Sequence, residues 1–238
     1  MKKFIALLLS LILVFTFAAC SKNKGEAPYN PGVTLEPVEV SGIGATAKVT
    51  LEDDNRGTGT MANKAQIPTF SVDGDSAAIN AINERIKSEV VTLCDAAAAE
   101  PLQYAVAITQ VVDSGRYLQA IVSYGNALSL DGLSVATYIY DKSTDTEATY
   151  DDALAAGDFT DASLKTVIKE IFKDKGPGGD LKDMNIMGFA FTGSGYPQFF
   201  VKVTFDTGED EQVELITVVP ETNSLDQANI DGSVLVKE

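Results

Sequence analysis

Tyr104–Tyr124 reads YAVAITQVVDSGRYLQAIVSY. Two β-rich runs, Tyr104–Val112 and Tyr117–Tyr124, flank Asp113-Ser114-Gly115, a turn cluster that folds them back on each other as a hairpin. Leu133–Tyr140 (LSVATYIY) follows the turn pair Asp131-Gly132 and reads as a third strand. Strands joined by tight turns make antiparallel pairs, because a parallel pair needs a long crossover.

Further strands are expected on both sides of this unit. Ala47–Glu52 alternates and reads as a first strand, closed by the turn cluster Asp53-Asp54-Asn55-Arg56-Gly57. Gln66–Val72 is extended, and Pro68 favours an edge or a strand start. Downstream, Ile186–Phe191, Gln198–Phe205 and Gln212–Val219 have strand character, with Thr192–Pro197 connecting the first two. Two segments have a helical period instead. Ile79, Ile82, Ile86, Val90 and Leu93 form one apolar stripe behind a cap at Asp75 or Ser76, with Asn80, Asn83, Glu84, Lys87 and Glu89 on the outer face. Asp95–Glu100 extends that helix until Pro101 stops it. In Thr160–Phe172, capped by Thr160 or Asp161, Leu164, Val167, Ile168, Ile171 and Phe172 form the buried face. Two amphipathic helices among about seven strands, without regular βαβ alternation, imply an α+β fold with mainly antiparallel sheets.

The first twenty residues, MKKFIALLLSLILVFTFAAC, belong to a different class. Lys2 and Lys3 precede an apolar run too short for a membrane span of roughly 20 residues, and Ala18-Ala19 lead into Cys20. Phe17-Ala18-Ala19-Cys20 resembles the bacterial lipoprotein box. That resemblance implies cleavage after Ala19 and lipid on the Cys20 thiol, holding the chain at the outer face of the cell membrane. The expected organisation is therefore a signal peptide over 1–19, a lipidated N-terminus and flexible tether over 20–44, an α+β domain over 45–219 and a C-terminal tail over 220–238. An internal subdomain split is placed near 113–132.

The 238-residue chain carries 18 Lys+Arg against 34 Asp+Glu, and loss of Lys2 and Lys3 leaves 16 against 34, a net charge of −18. That balance argues against nucleic acid as a partner. There is no His, which removes Ser-His-Asp and Cys-His chemistry and the commonest zinc ligand. With Cys20 lipidated, Cys94 has no disulfide partner and reads as helix packing.

Several constellations invite a chemical reading. Asp73, Asp75 and Glu84 hold the first, third and twelfth places of a calcium-loop spacing, and Asp141, Ser143 and Asp145 begin a second, but Ala78 and Thr146 stand where the loop needs glycine. These residues read as caps and turns. Asp53-Asp54, Asp151-Asp152 and Glu209-Asp210-Glu211 could supply an acid and a base, yet no spacing singles out a pair, and they read as solvated turns. Gly193-Ser194-Gly195 is followed by a strand pattern, so it is a hairpin loop and not a phosphate cradle. Tyr117, Tyr124, Tyr138, Tyr140, Phe199, Phe200 and Phe205 read mostly as sheet packing, with an exposed subset available for protein binding. No cofactor, metal or catalytic residue is assigned.

Ile67-Pro68, the helix with Ile79-Asn80 and Ile82-Asn83, Tyr138–Asp145, Tyr150–Leu154, the Leu164 helix and Gly188–Phe200 occur in a familiar order. Together they resemble the extracellular domain of lysozyme-sensing anti-sigma factors of the RsiV type, a domain also appended to some peptidoglycan deacetylases. The family's histidine-bearing loop is absent. The resemblance implies an extracytoplasmic binding module whose partner is a cationic protein such as lysozyme, or a cell-wall component. The expected function is a non-enzymatic, surface-anchored binding lipoprotein with Cys20 as its one assigned functional residue. A carboxylate-dependent glycan hydrolase and a structural envelope-assembly protein are the alternatives.

Overall fold

A computed structural model describes residues 38–41, 46–56, 63–92, 105–126, 133–228, 230 and 234–236. The signal segment, Cys20 and Cys94 lie outside the described residues. Among the described residues, twelve strands form two sheets. The first contains β1 (Val38–Ser41), β2 (Thr46–Arg56), β3 (Asn63–Val72), β4 (Ala105–Asp113), β5 (Tyr117–Asn126), β6 (Leu133–Asp141) and β7 (Thr146–Glu147), hydrogen-bonded in that order, with β12 (Val234–Val236) beside β4. The second runs β11-β10-β9-β8, from β8 (Asp180–Phe191), β9 (Pro197–Asp206), β10 (Glu211–Val219) and β11 (Ser224–Gln227). All neighbours are antiparallel except β3–β4 and β4–β12, which are parallel. The fold is α+β with mainly antiparallel sheets.

Helix α1 (Ala77–Ile86) continues into a π-helical turn, Lys87–Val91. Ser76 caps it by accepting the Ile79 N–H at 3.1 Å. Ile79, Ile82, Ile86 and Val90 are buried on the first sheet against Val49, Phe70, Leu118, Ala120 and Tyr138. Each such side chain contributes about 1.5–3 kcal/mol on leaving water. Helix α3 (Asp161–Lys175) is capped by Thr160 and buries Leu164, Ile168, Ile171 and Phe172 on Phe199, Val201, Val203 and Phe205 of the second sheet. Val112, Ile121 and Val135 of the first sheet pack against Ala190 and Phe200 of the second.

Several boundaries differ from the expectations. Residues 38–41, inside the stretch read as tether, pair with β2. Asp53–Arg56, read as a turn, extends β2 against Asn63–Gln66. The segment read as a tail supplies β11, paired with β10, and β12, paired with β4. These strands of three or four residues are too short to show a period, and neighbours already in place hold them. On either side of the split placed near 113–132, β4, β5 and β6 are paired in one sheet. The passage from one sheet to the other comes after Glu147. There Tyr150–Ala156, whose Asp151-Asp152 read as a solvated turn, forms helix α2, with Thr149 and Asp152 closing a reciprocal cap.

Strand β3 stays with β4 only at Lys64 and Ala65 and then diverges. The backbone groups this strands are taken up by amide side chains. Gln66 Oε1 accepts the Thr109 N–H at 3.1 Å. Asn83 Oδ1 accepts the Phe70 N–H at 2.9 Å, while its Nδ2 donates to the Phe70 carbonyl at 2.8 Å. Asn83, read as an outer-face residue, thus stands in for a missing strand. Alternate residues of an antiparallel ladder point their backbone groups to the same side, so Pro68, two before Phe70, faces this gap and costs no ladder bond.

Candidate functional site

A concavity of about 760 Å³ opens between β6, which β7 covers only at Tyr140 and Asp141, and β8, which ends the second sheet. The two strands come close at Gly188, where an added Cβ would lie 2.9 Å from Thr137 Cγ2. Such an approach is closer than a side chain tolerates, so glycine permits the crossing. The Phe189 N–H reaches Thr137 Oγ1 at 3.4 Å there.

One wall comes from the end of α1 and from β6 and β7. The Arg85 guanidinium sits 4.4 Å from the centroid of the Tyr138 ring and donates to the Thr137 carbonyl at 2.9 Å. It also pairs with Glu147 and, at 3.6 Å, with Glu89. The π-helical turn at Lys87–Val91 carries Glu89, which accepts the Tyr138 hydroxyl proton at 2.9 Å. Burial, and then the bond to Glu89, push the Tyr138 phenol well above its ordinary range. Burial and then Glu89 also raise Tyr124. On the far wall the Tyr150 hydroxyl donates to Asp161 at 3.0 Å, and Lys165 donates to Asp161 at 2.7 Å. Tyr150 is pushed up to about 12, first by burial and then by that carboxylate. Met184, Ile186, Met187 and Phe189 of β8 supply the apolar side.

Glu89, Glu147 and Asp161, the carboxylates lining this groove, each have a cationic partner, and Tyr138 and Tyr150 donate hydrogen bonds to Glu89 and Asp161. Such matched donors and acceptors around aromatic and apolar surface suit recognition. Sequence reasoning did not single out Arg85, Glu147, Tyr150 or Lys165, and it placed Glu89 on a solvated face. The i,i+4 pair Arg85/Glu89 was the available signal, but it is indistinguishable from an ordinary surface pair.

The residues singled out from sequence lie elsewhere. Asp73, Asp75 and Glu84 are exposed in the turn and on α1. Among the described residues no group of three or more His, Cys, Asp or Glu side chains is gathered as a metal site would need. Asp145 adopts a left-handed φ of 53°, and its carboxylate accepts protons from Ser76 at 2.5 Å and Tyr140 at 2.9 Å, locking the β6–β7 turn onto the start of α1. Asp151 and Asp152 are exposed in the first turn of α2. Glu209, Asp210 and Glu211 are exposed where β9 turns into β10. The side chains of Asp53 and Asp54 lie outside the described residues. Gly193–Gly195 sits in the β8–β9 hairpin, with Gly195 at φ 81°. Tyr117, Tyr138, Tyr140, Phe199, Phe200 and Phe205 are buried, whereas Tyr124 is half-buried at the groove.

Asp141 is the most strongly perturbed acid among the described residues. Burial alone would raise it, but Arg116, at 2.9 and 2.5 Å, and Ser143, through Oγ at 2.7 Å and its N–H at 2.9 Å, outweigh burial. They hold the carboxyl down at about 2. A depressed carboxyl stabilises the fold above its unfolded pKa, and the contribution disappears as pH falls through the folded value. About 2 kcal/mol should therefore be present above pH ~4 and fade towards pH ~2. Urea denaturation across that window should show the wild type losing this increment while Asp141→Asn, lower throughout, does not. Parallel curves would refute the assignment.

No family model matches the chain, and no curated protein matches it.

Proposed function

We propose that this chain is a non-enzymatic binding lipoprotein, held at the outer face of the cell membrane through lipid on Cys20. Its β-rich domain recognises a protein or a wall-associated ligand. The observation that carries the reading is the order of residues 1–20: two lysines, an apolar run of sub-membrane length, two alanines and a cysteine. The groove at the Thr137–Gly188 crossing supports a binding role, because its carboxylates are paired and its free surface includes tyrosine, methionine and strand edge. The resemblance to lysozyme-sensing ectodomains and the acidic charge favour a cationic protein partner.

Two measurements test the two halves of this reading. Cys20→Ala in the full chain should move the protein from the membrane fraction to the soluble fraction. Retention in the membrane refutes the lipid anchor. Immobilised wild-type protein should bind lysozyme more tightly than a cationic control protein of matched charge, and Tyr124→Ala should weaken the binding. Equal binding of both proteins refutes specific recognition.

A further inference from the structure

A second concavity of about 590 Å³ lies between α3 and the first half of β8. It shares Lys165 and Met184 with the larger groove and forms a channel beside the first half of β8. Strand β8 ends its sheet, and its outer edge is treated differently at its two ends. Near the C-terminal end the Phe189 N–H meets Thr137, and Gln119 takes both backbone groups of Phe191. Along Asp180–Met187 no strand lies on that side among the described residues. Register shifts at Leu181/Asp183 and Ile186/Gly188 leave Asp183–Ile186 as the regular stretch of edge.

The facing wall is cationic in a strongly acidic protein. Lys165, Lys169 and Lys173 recur every four residues on α3, and Lys182 joins them from β8, which also contributes Asp180 and Asp183. Lys165 pairs with Asp161 and Lys182 with Asp206, but no carboxylate among the described residues pairs with Lys169 or Lys173. Helical rise sets successive lysines about 6 Å apart. An extended peptide repeats its same-face side chains about every 6.7 Å. The lysine row spans about 12 Å, and Asp180–Met184 spans about 13 Å.

From the open edge, the matched spacing and the unpaired charge we infer that this channel binds an extended acidic peptide. The peptide adds as a strand to β8 at Asp183–Ile186, with acids at every second residue facing Lys169 and Lys173. Main-chain bonds supply affinity and the lysine row selects the sequence. This site is independent of the lipid anchor; it adjoins the groove proposed above, which Met184, Asn185 and Ile186 also line.

The probe is a short fluorescent peptide alternating Glu and Thr, compared with an isomer carrying the same residues in two blocks. Fluorescence anisotropy should give tighter binding of the alternating peptide. Lys169→Glu/Lys173→Glu, both on the exposed face of α3, should weaken it roughly tenfold with an unchanged circular dichroism spectrum. Hydrogen exchange should slow at the amides of 183–186 when the peptide is bound. Equal binding of the block isomer, absence of that protection, or binding of inorganic polyphosphate or phosphatidylglycerol vesicles as tightly as the peptide would each overturn the inference.

Discussion

Lys142→Met is expected to destabilise the fold by about 3–5 kcal/mol. Lys142 Nζ lies 3.0 and 3.3 Å from the two carboxylate oxygens of Asp113. The side chains are only 5 % and 3 % exposed, so both charges have left water. The pair ties the end of β4 to the turn after β6, across the start of β5. Removing the ammonium leaves Asp113 buried with the Gly115 N–H, at 2.8 Å, as its remaining partner. An uncompensated buried charge is the costly state, whereas loss of both charges is far cheaper. Asp113→Leu/Lys142→Met should therefore recover most of the stability lost by Lys142→Met alone. Urea denaturation of the four forms closes the cycle. A single variant within 1 kcal/mol of wild type by urea denaturation, on the order of an exposed pair, would show that the buried pair contributes little.

Gln119→Leu should cost a similar amount, about 2–5 kcal/mol, for a different reason. Gln119 is 0 % exposed on β5, on the side facing the second sheet. Its Nε2 donates to the Phe191 carbonyl at 2.9 Å, and its Oε1 accepts the Phe191 N–H at 2.7 Å. The Phe191 ring stacks on Tyr117 at 4.0 Å between centroids. Leucine has about the right volume but leaves a donor and an acceptor unsatisfied inside the protein. Gln119→Glu sharpens the test. An ionised carboxylate can accept the N–H but faces the carbonyl oxygen with no proton to give, so the folded state favours the protonated acid. Its folded pKa is then raised, and its stability is present at low pH and lost as pH rises. The deficit of Gln119→Glu against wild type should be smaller at pH 4 than at pH 7, as read by denaturant titration. A deficit independent of pH would mean that the side chain does not bridge the sheets.

Legibility in the sequence followed the range of the interaction. The stripe Ile79, Ile82, Ile86 and Val90 and the face Leu164, Ile168, Ile171 and Phe172 were readable because burial repeats with the helical period, and these residues are buried; Val167, read into the same face, is half-buried, and Leu93 lies outside the described residues. Ser76 and Thr160 were readable as caps because a cap acts within three residues. The first half of β8 was not. Asp180–Asn185 reads DLKDMN, which carries no strand pattern, and β9 holds it extended. The groove was equally hidden: Arg85 is 52 residues from Thr137 and 62 from Glu147, separations that carry no local signature.

By itself the amino-acid sequence determined what is periodic or local: the α+β class, the hairpin at Asp113–Gly115, the apolar faces of α1 and α3, and the acidic balance. Tertiary structure alone decided where backbone groups lose their ladder partners, at Phe70 where β3 leaves β4 and at Phe191 where β8 ends. It thereby decided that Asn83 and Gln119 become bridges, and that β6 and β8 meet at Gly188 to open the groove. A buried donor or acceptor must be paired, and which side chain pairs it depends on the whole arrangement of strands, which no window of sequence contains.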